Sequence, residues 1–138
     1  MYFKKLIDKD STIRFYITNK KDEGYGDFIT EVSISKYVSY EIKTMLEYIL
    51  GHECDKIFYL HSFGTRNDML GKGYGRKMIQ YLKERYKGSV LYLCVCPPWW
   101  GKLSTSALIK FYKSEGFILL DSNETKKYTS YPIMLIEL

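Results

Sequence analysis

Apolar and polar residues alternate in "TIRFYIT", where Ile13, Phe15 and Ile17 fall between Arg14, Tyr16 and Thr18. A period of two marks a strand with one buried face. "FITEVSIS", Phe28 to Ser35, repeats the pattern with β-branched residues. The turn-like "NKKDEGYGD" between them makes the two an antiparallel pair with a long loop, and "MYFKKLI" is a candidate further strand. At Ser39 the period changes. Ile42, Met45, Leu46, Ile49 and Leu50 recur at helical spacing, with Ser39 placed to cap the start and Gly51 to close the end, which predicts an amphipathic helix over Ser39 to Leu50.

"KIFYLHSFGT", Lys56 to Thr65, reads as an aromatic-rich strand that leads through "RNDML" into the glycine cluster of "MLGKGYGRKMIQYL". From Tyr74 onward Met78, Leu82 and Tyr86 recur every fourth residue beside Ile79, and Lys83, Arg85 and Lys87 collect before Gly88. The cluster therefore follows a strand and opens a helix. "SVLYLCVC", Ser89 to Cys96, is a near-continuous apolar run, as expected of a strand buried on both faces beside a parallel neighbour. Strand, helix and parallel strand form a right-handed crossover. After "PPWWGKL", Ser104 caps a second helix whose Ala107, Leu108, Phe111 and Tyr112 share a face until Gly116, and "FILL" and "YPIMLIEL" close the chain as two strands around "DSNETKKYTS".

With 138 residues and no repeat, linker or low-complexity segment, the expectation is one α/β domain over 1–138. Apolar residues make up 46% and charged residues 27%, which excludes the disordered class and predicts a packed core. The net charge of +5 suits an anionic ligand, nucleic acid or an acidic protein without choosing among them. Three cysteines and two histidines fit neither a disulfide framework nor a zinc site, so no metal is expected. Cys94 and Cys96 would share one strand face, which suits a core position better than redox chemistry. The start lacks a signal-peptide pattern and no stretch is long and apolar enough for a membrane span, so a cytoplasmic protein with no membrane partner is expected.

The glycine cluster carries the candidate chemistry. A P-loop requires Gly, four residues, then Gly-Lys-Ser/Thr, but Gly71-Lys72 is followed by Gly73. A dinucleotide fingerprint requires another glycine spacing and an acid at the end of the next strand, where this chain has Cys96-Pro97. What remains is a turn with free backbone N–H groups at the positive end of a helix, with Lys72, Arg76 and Lys77 adding charge. Such a turn can hold a pyrophosphate, or it can be glycine-rich for tightness alone.

"GKGYGRKMIQYLKE" and "SALIKFYKSEGF" together resemble the GNAT family of acetyl-CoA-dependent N-acetyltransferases. Gly73-Tyr74-Gly75 corresponds to the family's Gln/Arg-x-x-Gly-x-Gly/Ala turn. Phe111 to Phe117 corresponds to its Phe/Leu-Tyr-x-x-x-Gly-Phe helix end, so the resemblance covers Lys56 to Leu138. It implies a mixed, mostly antiparallel central sheet with a parallel strand splay and flanking helices. It also implies that Gly71, Lys72, Gly73, Tyr74, Gly75 and Arg76 hold the pyrophosphate of coenzyme A, and that Phe63, Gly64 and Thr65 pair with the pantetheine arm. Acetyl-CoA would then be the co-substrate and Tyr112 the proton donor to the departing thiolate. Packing beside Phe111 is the alternative role for Tyr112.

The departures are specific. Leu70 stands at the Gln/Arg position, and Ser104 stands where many members place an Asn against the pantetheine. Many members carry a Glu base on the fourth strand, where this chain offers Tyr59 and His61. His61 could deprotonate an ammonium near neutral pH, or be a hydrogen-bonded sheet residue. Trp99 and Trp100 either line the acceptor mouth or plug a sheet edge. The expected activity is direct transfer of an acetyl group to a small-molecule or protein amine in a ternary complex, with a homodimer compatible. A degenerate coenzyme A-binding or protein-interaction module of the same fold is the alternative. Nucleic-acid binding is disfavoured, because the cations are scattered and no RNA-binding aromatic motif occurs.

Overall fold

Each alternating run of the first half becomes a strand because one of its faces finds a helix to bury against. The computed structural model of the chain describes residues 1–7, 11–97, 101–120 and 122–138. Strands β1 (Tyr2–Ile7), β2 (Thr12–Thr18) and β3 (Thr30–Ser35) pair antiparallel in sequence order. The 3-10 turn Tyr25–Asp27 lies within the loop between β2 and β3, and β3 starts at Thr30, two residues later than the alternation predicts. Helix α1 (Tyr40–Leu50) follows, with the Ile42 N–H donating to Ser39 Oγ at 3.3 Å and Gly51 closing it at φ +79°. Strand β4 (Ile57–Thr65) returns antiparallel to β3, so a helix occupies the connection where a short hairpin turn would serve.

Helix α2 (Tyr74–Arg85) carries the chain over to β5 (Val90–Cys94), the parallel neighbour of β4. Helix α3 (Thr105–Ser114) precedes β6 (Ile118–Leu119), α4 (Ser122–Thr125) and β7 (Ile133–Glu137). Among the described residues the sheet has seven strands in the order β1-β2-β3-β4-β5-β7-β6, antiparallel throughout except at β4–β5. β6 is shorter than "FILL" predicts: Leu120 turns inward, and only Ile118 and Leu119 keep strand form, both exposed. The segment expected as a polar loop holds the single turn of α4.

The sheet separates two apolar layers. On one face α2 and α3 bury Met78, Ile79, Leu82, Leu108 and Tyr112 against Phe15, Val32, Leu60, Leu91 and Met134. On the other, α1 buries Met45 and Leu46 near Ile57, Tyr92, Ile133 and Leu135. β5 supplies both layers in alternation, Leu91 and Leu93 to one and Val90 and Tyr92 to the other, which accounts for its unbroken apolar run. No helix among the described residues is long and apolar enough to cross a membrane.

Two irregularities shape the centre of the sheet. β4 and β5 are paired only from Ile57↔Val90 to Tyr59↔Tyr92. Beyond that point β4 stays with β3 as far as Thr30↔Thr65, while the Val95 N–H bonds the Pro132 carbonyl at 2.7 Å, so the two parallel strands separate. The second is a β-bulge: Ile34 faces Leu60 and the next residue back, Ser33, faces Ser62, leaving His61 as the extra residue of β4. Leu60 and Phe63, three apart, thereby reach the same layer. A strict period of two would have put them on opposite faces.

Candidate active site

The glycine turn is built around two left-handed residues, Gly71 at φ +76° and Gly73 at φ +84°. Gly73 is the N-cap of α2 and supplies no capping side chain. The first helical N–H to find a carbonyl is that of Lys77, which bonds the Gly73 oxygen at 3.1 Å. The N–H groups of Tyr74, Gly75 and Arg76 therefore point out of the helix end without an intrahelical acceptor, where the helix dipole adds positive potential. Gly75 serves another purpose: a Cβ there would stand 3.4 Å from Phe111 Cζ and 3.7 Å from Phe63 Cε1, so it brings α2 close to both rings.

This turn forms one wall of a cleft of about 380 Å³. Phe63, Gly64 and Thr65 at the end of β4 form the second wall, and Lys102, Leu103, Leu108 and Phe111 before and along α3 form the third. Of the residues predicted to bind the cofactor, Phe63, Gly64, Thr65, Gly71, Gly73, Tyr74, Gly75 and Arg76 all line this one space. Lys72 and Ser104 do not. Lys72 is exposed with its Nζ 3.8 Å from Met69 Sδ, and Ser104 Oγ accepts the Ala107 N–H at 3.1 Å as the cap of α3.

Arg76 is held from behind. Its Nε donates to Glu115 Oε1 at 2.8 Å, and Lys83 Nζ lies 3.6 Å from Glu115 Oε2. The Glu115 side chain is 6% exposed and that of Arg76 61%, so the buried acid anchors a cation whose outer end stays in solvent beside the cleft. Sequence reasoning missed Glu115, although a signal existed. An acid at the C-terminal end of a helix opposes the helix dipole and calls for a cationic partner. Asn67, Met69, Leu70, Gly101, Lys102, Leu103, Leu108 and Phe111 also line the cleft without being expected from the sequence to bind the cofactor, Leu70 being noted only as a departure at the Gln/Arg position.

Where β4 and β5 part, a small cavity of about 20 Å³ is lined by His61, Ser62 and Phe63 from β4, Leu93 to Cys96 from β5 and its end, and Leu108 and Tyr112 from α3. The two predicted catalytic residues thus meet at the splay. Tyr112 is 4% exposed, and its hydroxyl makes no hydrogen bond among the described residues. Burial alone pushes its phenol well above the ordinary range, so it is a proton-bearing group at neutral pH. His61 is more exposed, and its ring lies 5.7 Å from that of Tyr59. Tyr59 in turn stacks on Tyr92 at 4.8 Å. Burial raises both of these phenols, Tyr92 to about 12. Burial also raises the half-buried Cys94 thiol against the opposing hydrogen bonds from Tyr59 and Thr129, so it is no ready nucleophile. Trp99 and Trp100 lie outside the described residues.

No protein-family model and no curated protein matches the chain. Solved structures do match. An acetyltransferase from Thermus thermophilus superposes with a TM-score of 0.62 at 14% identity, covering 94% of this chain and 66% of its own. The ribosomal-protein-S18-alanine N-acetyltransferase of Escherichia coli gives 0.52 at 18% identity, covering 94% and 71%. AtaTR bound with acetyl-CoA gives 0.56 at 14% identity, covering 92% and 68%. The chain thus spans about two thirds of the length of the structures it matches. The mixed seven-stranded, mostly antiparallel sheet with one parallel pair matches the fold of the GNAT N-acetyltransferases, and the chain has that fold.

Proposed function

We propose that this chain binds acetyl-CoA in the cleft of α2, β4 and α3 and transfers the acetyl group to an amine. The observation that carries the reading is a convergence: the cleft at the uncapped N-terminus of α2 and the cavity at the splay of β4 from β5 share Phe63 and Leu108 as walls, with Tyr112 lining the second. Pyrophosphate oxygens would accept from the N–H groups of Gly73 to Arg76, helped by the outer nitrogens of Arg76. The pantetheine amides would pair with the free edge of β4 from Ser62 to Thr65, as an added strand does.

The thioester would then lie in the splay between His61 and Tyr112. As the amine nitrogen attacks the acetyl carbon, a backbone N–H at the strand edge stabilises the oxyanion. His61, or a water it holds, takes the amine proton, and Tyr112 gives its proton to the sulfur as the C–S bond breaks. AtaTR, which has the same fold, has been solved with this ligand, and that supports the choice of co-substrate.

A melting experiment tests the binding claim. Coenzyme A at about 100 times its dissociation constant should stabilise the protein by about 2.7 kcal/mol, a rise in Tm of roughly 10 °C. Adenine nucleotides lacking the pantetheine should give less. No shift at saturating coenzyme A would end the proposal. A shift without transfer to any amine would point to the second reading, a coenzyme A-binding module, which Leu70 and the engagement of Arg76 with Glu115 favour.

A further inference from the structure

Arg76 and Glu115 each sit at the helix end that disfavours their charge. Arg76 is in the first turn of α2, where the dipole is positive and no acid of that turn offsets it. Glu115 caps the C-terminus of α3, where the dipole is negative. Its side chain is also 6% exposed, and taking a carboxylate out of water carries a desolvation cost that ion pairs do no more than offset. A well-packed apolar residue at position 115 would serve the fold at least as well, so stability does not account for the pair.

Its geometry accounts for it. Arg76 donates its Nε to Glu115 Oε1 at 2.8 Å, and Glu115 Oε2 lies 3.6 Å from the Nζ of Lys83, which stands two turns along the same side of α2. The carboxylate thus holds the guanidinium by its inner edge. Neither terminal nitrogen of Arg76 has a partner among the described residues, and the residue lines the cleft at the glycine turn. One acid shared by two cations leaves the trio net positive, so the anchor orients Arg76 without cancelling its field. A guanidinium fixed in advance also gives up less rotamer freedom when an anion arrives.

We propose that Glu115 is a positioning residue of the cofactor site. It acts through Arg76, presenting the terminal nitrogens of the guanidinium to the pyrophosphate of coenzyme A beside the N–H groups of Gly73 to Arg76, while Lys83 occupies its second oxygen. The inference rests on the coenzyme A reading of the cleft. Calorimetric titration of coenzyme A into the parent protein, Glu115→Gln, Arg76→Gln and the double variant tests it, with far-UV circular dichroism and Tm recorded for each. Glu115→Gln should bind about fivefold or more weakly than the parent, and the same change in the Arg76→Gln background should alter affinity by less than about twofold.

A purely structural role for Glu115 would weaken binding equally in both backgrounds. Competition between Glu115 and phosphate for Arg76 would instead make Glu115→Gln bind more tightly, and either result overturns the proposal. Arg76→Lys keeps the question open to test if Glu115→Gln does not fold, because the Arg76 side chain is 61% exposed and its replacement leaves the core intact. A single ammonium cannot offer one edge to Glu115 and another to phosphate, so this variant should also lose about fivefold or more, and parent-like affinity would refute the inference. A parent protein that does not bind coenzyme A fails the reading of the cleft itself, whereas a parent that binds alongside unchanged variants fails this inference alone.

Discussion

Tyr112 combines two properties that seldom coincide in a core residue, near-complete burial and a hydroxyl with no hydrogen-bond partner among the described residues. The hydroxyl is not a fully enclosed atom and the residue lines the small cavity at the splay, so packing alone does not explain why Phe does not stand there. Tyr112→Phe should therefore leave the melting temperature unchanged or slightly raised, while acetyl transfer falls about a hundredfold or more. Equal transfer rates in the two proteins would remove Tyr112 from the chemistry. His52 supports a prediction of another kind. Its Nδ1 faces the Glu53 carbonyl at 3.0 Å and its Nε2 faces Glu137 Oε2 at 2.9 Å, tying the segment after α1 to β7. The backbone hydrogen bond to Glu53, then the one to Glu137, raise its pKa above the usual imidazole value. A raised folded-state pKa means that the stabilisation is fully present below the unfolded value of about 6.5 and is lost as pH rises through the folded one. Urea midpoints measured between pH 5.5 and 8.5 should fall across that window, and the fall should be smaller in His52→Gln; an identical fall in both would refute the assignment.

Helix α2 was legible in full from its apolar spacing, because that spacing alone decides which side meets the sheet. What the period could not show is that its two glycines do different work. A methyl on Gly73 would meet nothing within 4 Å, so Gly73→Ala costs only the left-handed backbone, about 1–2 kcal/mol. Gly75 has an ordinary φ, and a methyl there would rest in van der Waals contact with Phe111 and Phe63. Gly73→Ala should thus lower stability by about 1–2 kcal/mol and weaken coenzyme A binding at least tenfold as the turn N–H groups swing away, whereas Gly73→Asn, which tolerates this conformation, should retain most of both. Chemical denaturation and ligand-induced melting shifts measure the two effects, and normal coenzyme A binding by the Ala variant would mean that the turn does not hold the phosphates. The Arg76–Glu115 pair escaped the sequence reading because its partners are 39 residues apart and meet only once α3 lies beside α2. The bulge at His61 escaped it for a related reason: β3 decides which residue of β4 is extra, and the alternation of β4 alone does not contain that information.

At the scale of the whole molecule, the sheet is two blocks, β1 to β4 and β5 to β7, joined by three parallel residue pairs and by the helices that cover both faces. The pattern of strands and helices in the sequence was enough to anticipate a parallel β4–β5 pair. Where that pair stops depends on Val95 bonding Pro132 instead of β4, a choice made by a segment distant in sequence. The consequence is an open edge in the middle of the protein. β4 remains hydrogen-bonded to β3 as far as Thr65, so alternate backbone groups from Ser62 to Thr65 lie beyond the last residue pair with β5 and face the gap. Amide hydrogen exchange should reveal this as alternation within one strand: amides facing β3 protected, amides facing the gap fast. If pantetheine fills the gap as an added strand, coenzyme A should slow the fast set at least tenfold and leave the β3-facing set nearly unchanged. Adenosine 3′,5′-bisphosphate, which lacks the arm, should protect the amides of Gly73 to Arg76 without touching those of β4. Uniform protection of all β4 amides by both ligands would instead indicate that binding tightens the whole molecule, and the splay would then have no separate role in holding the arm.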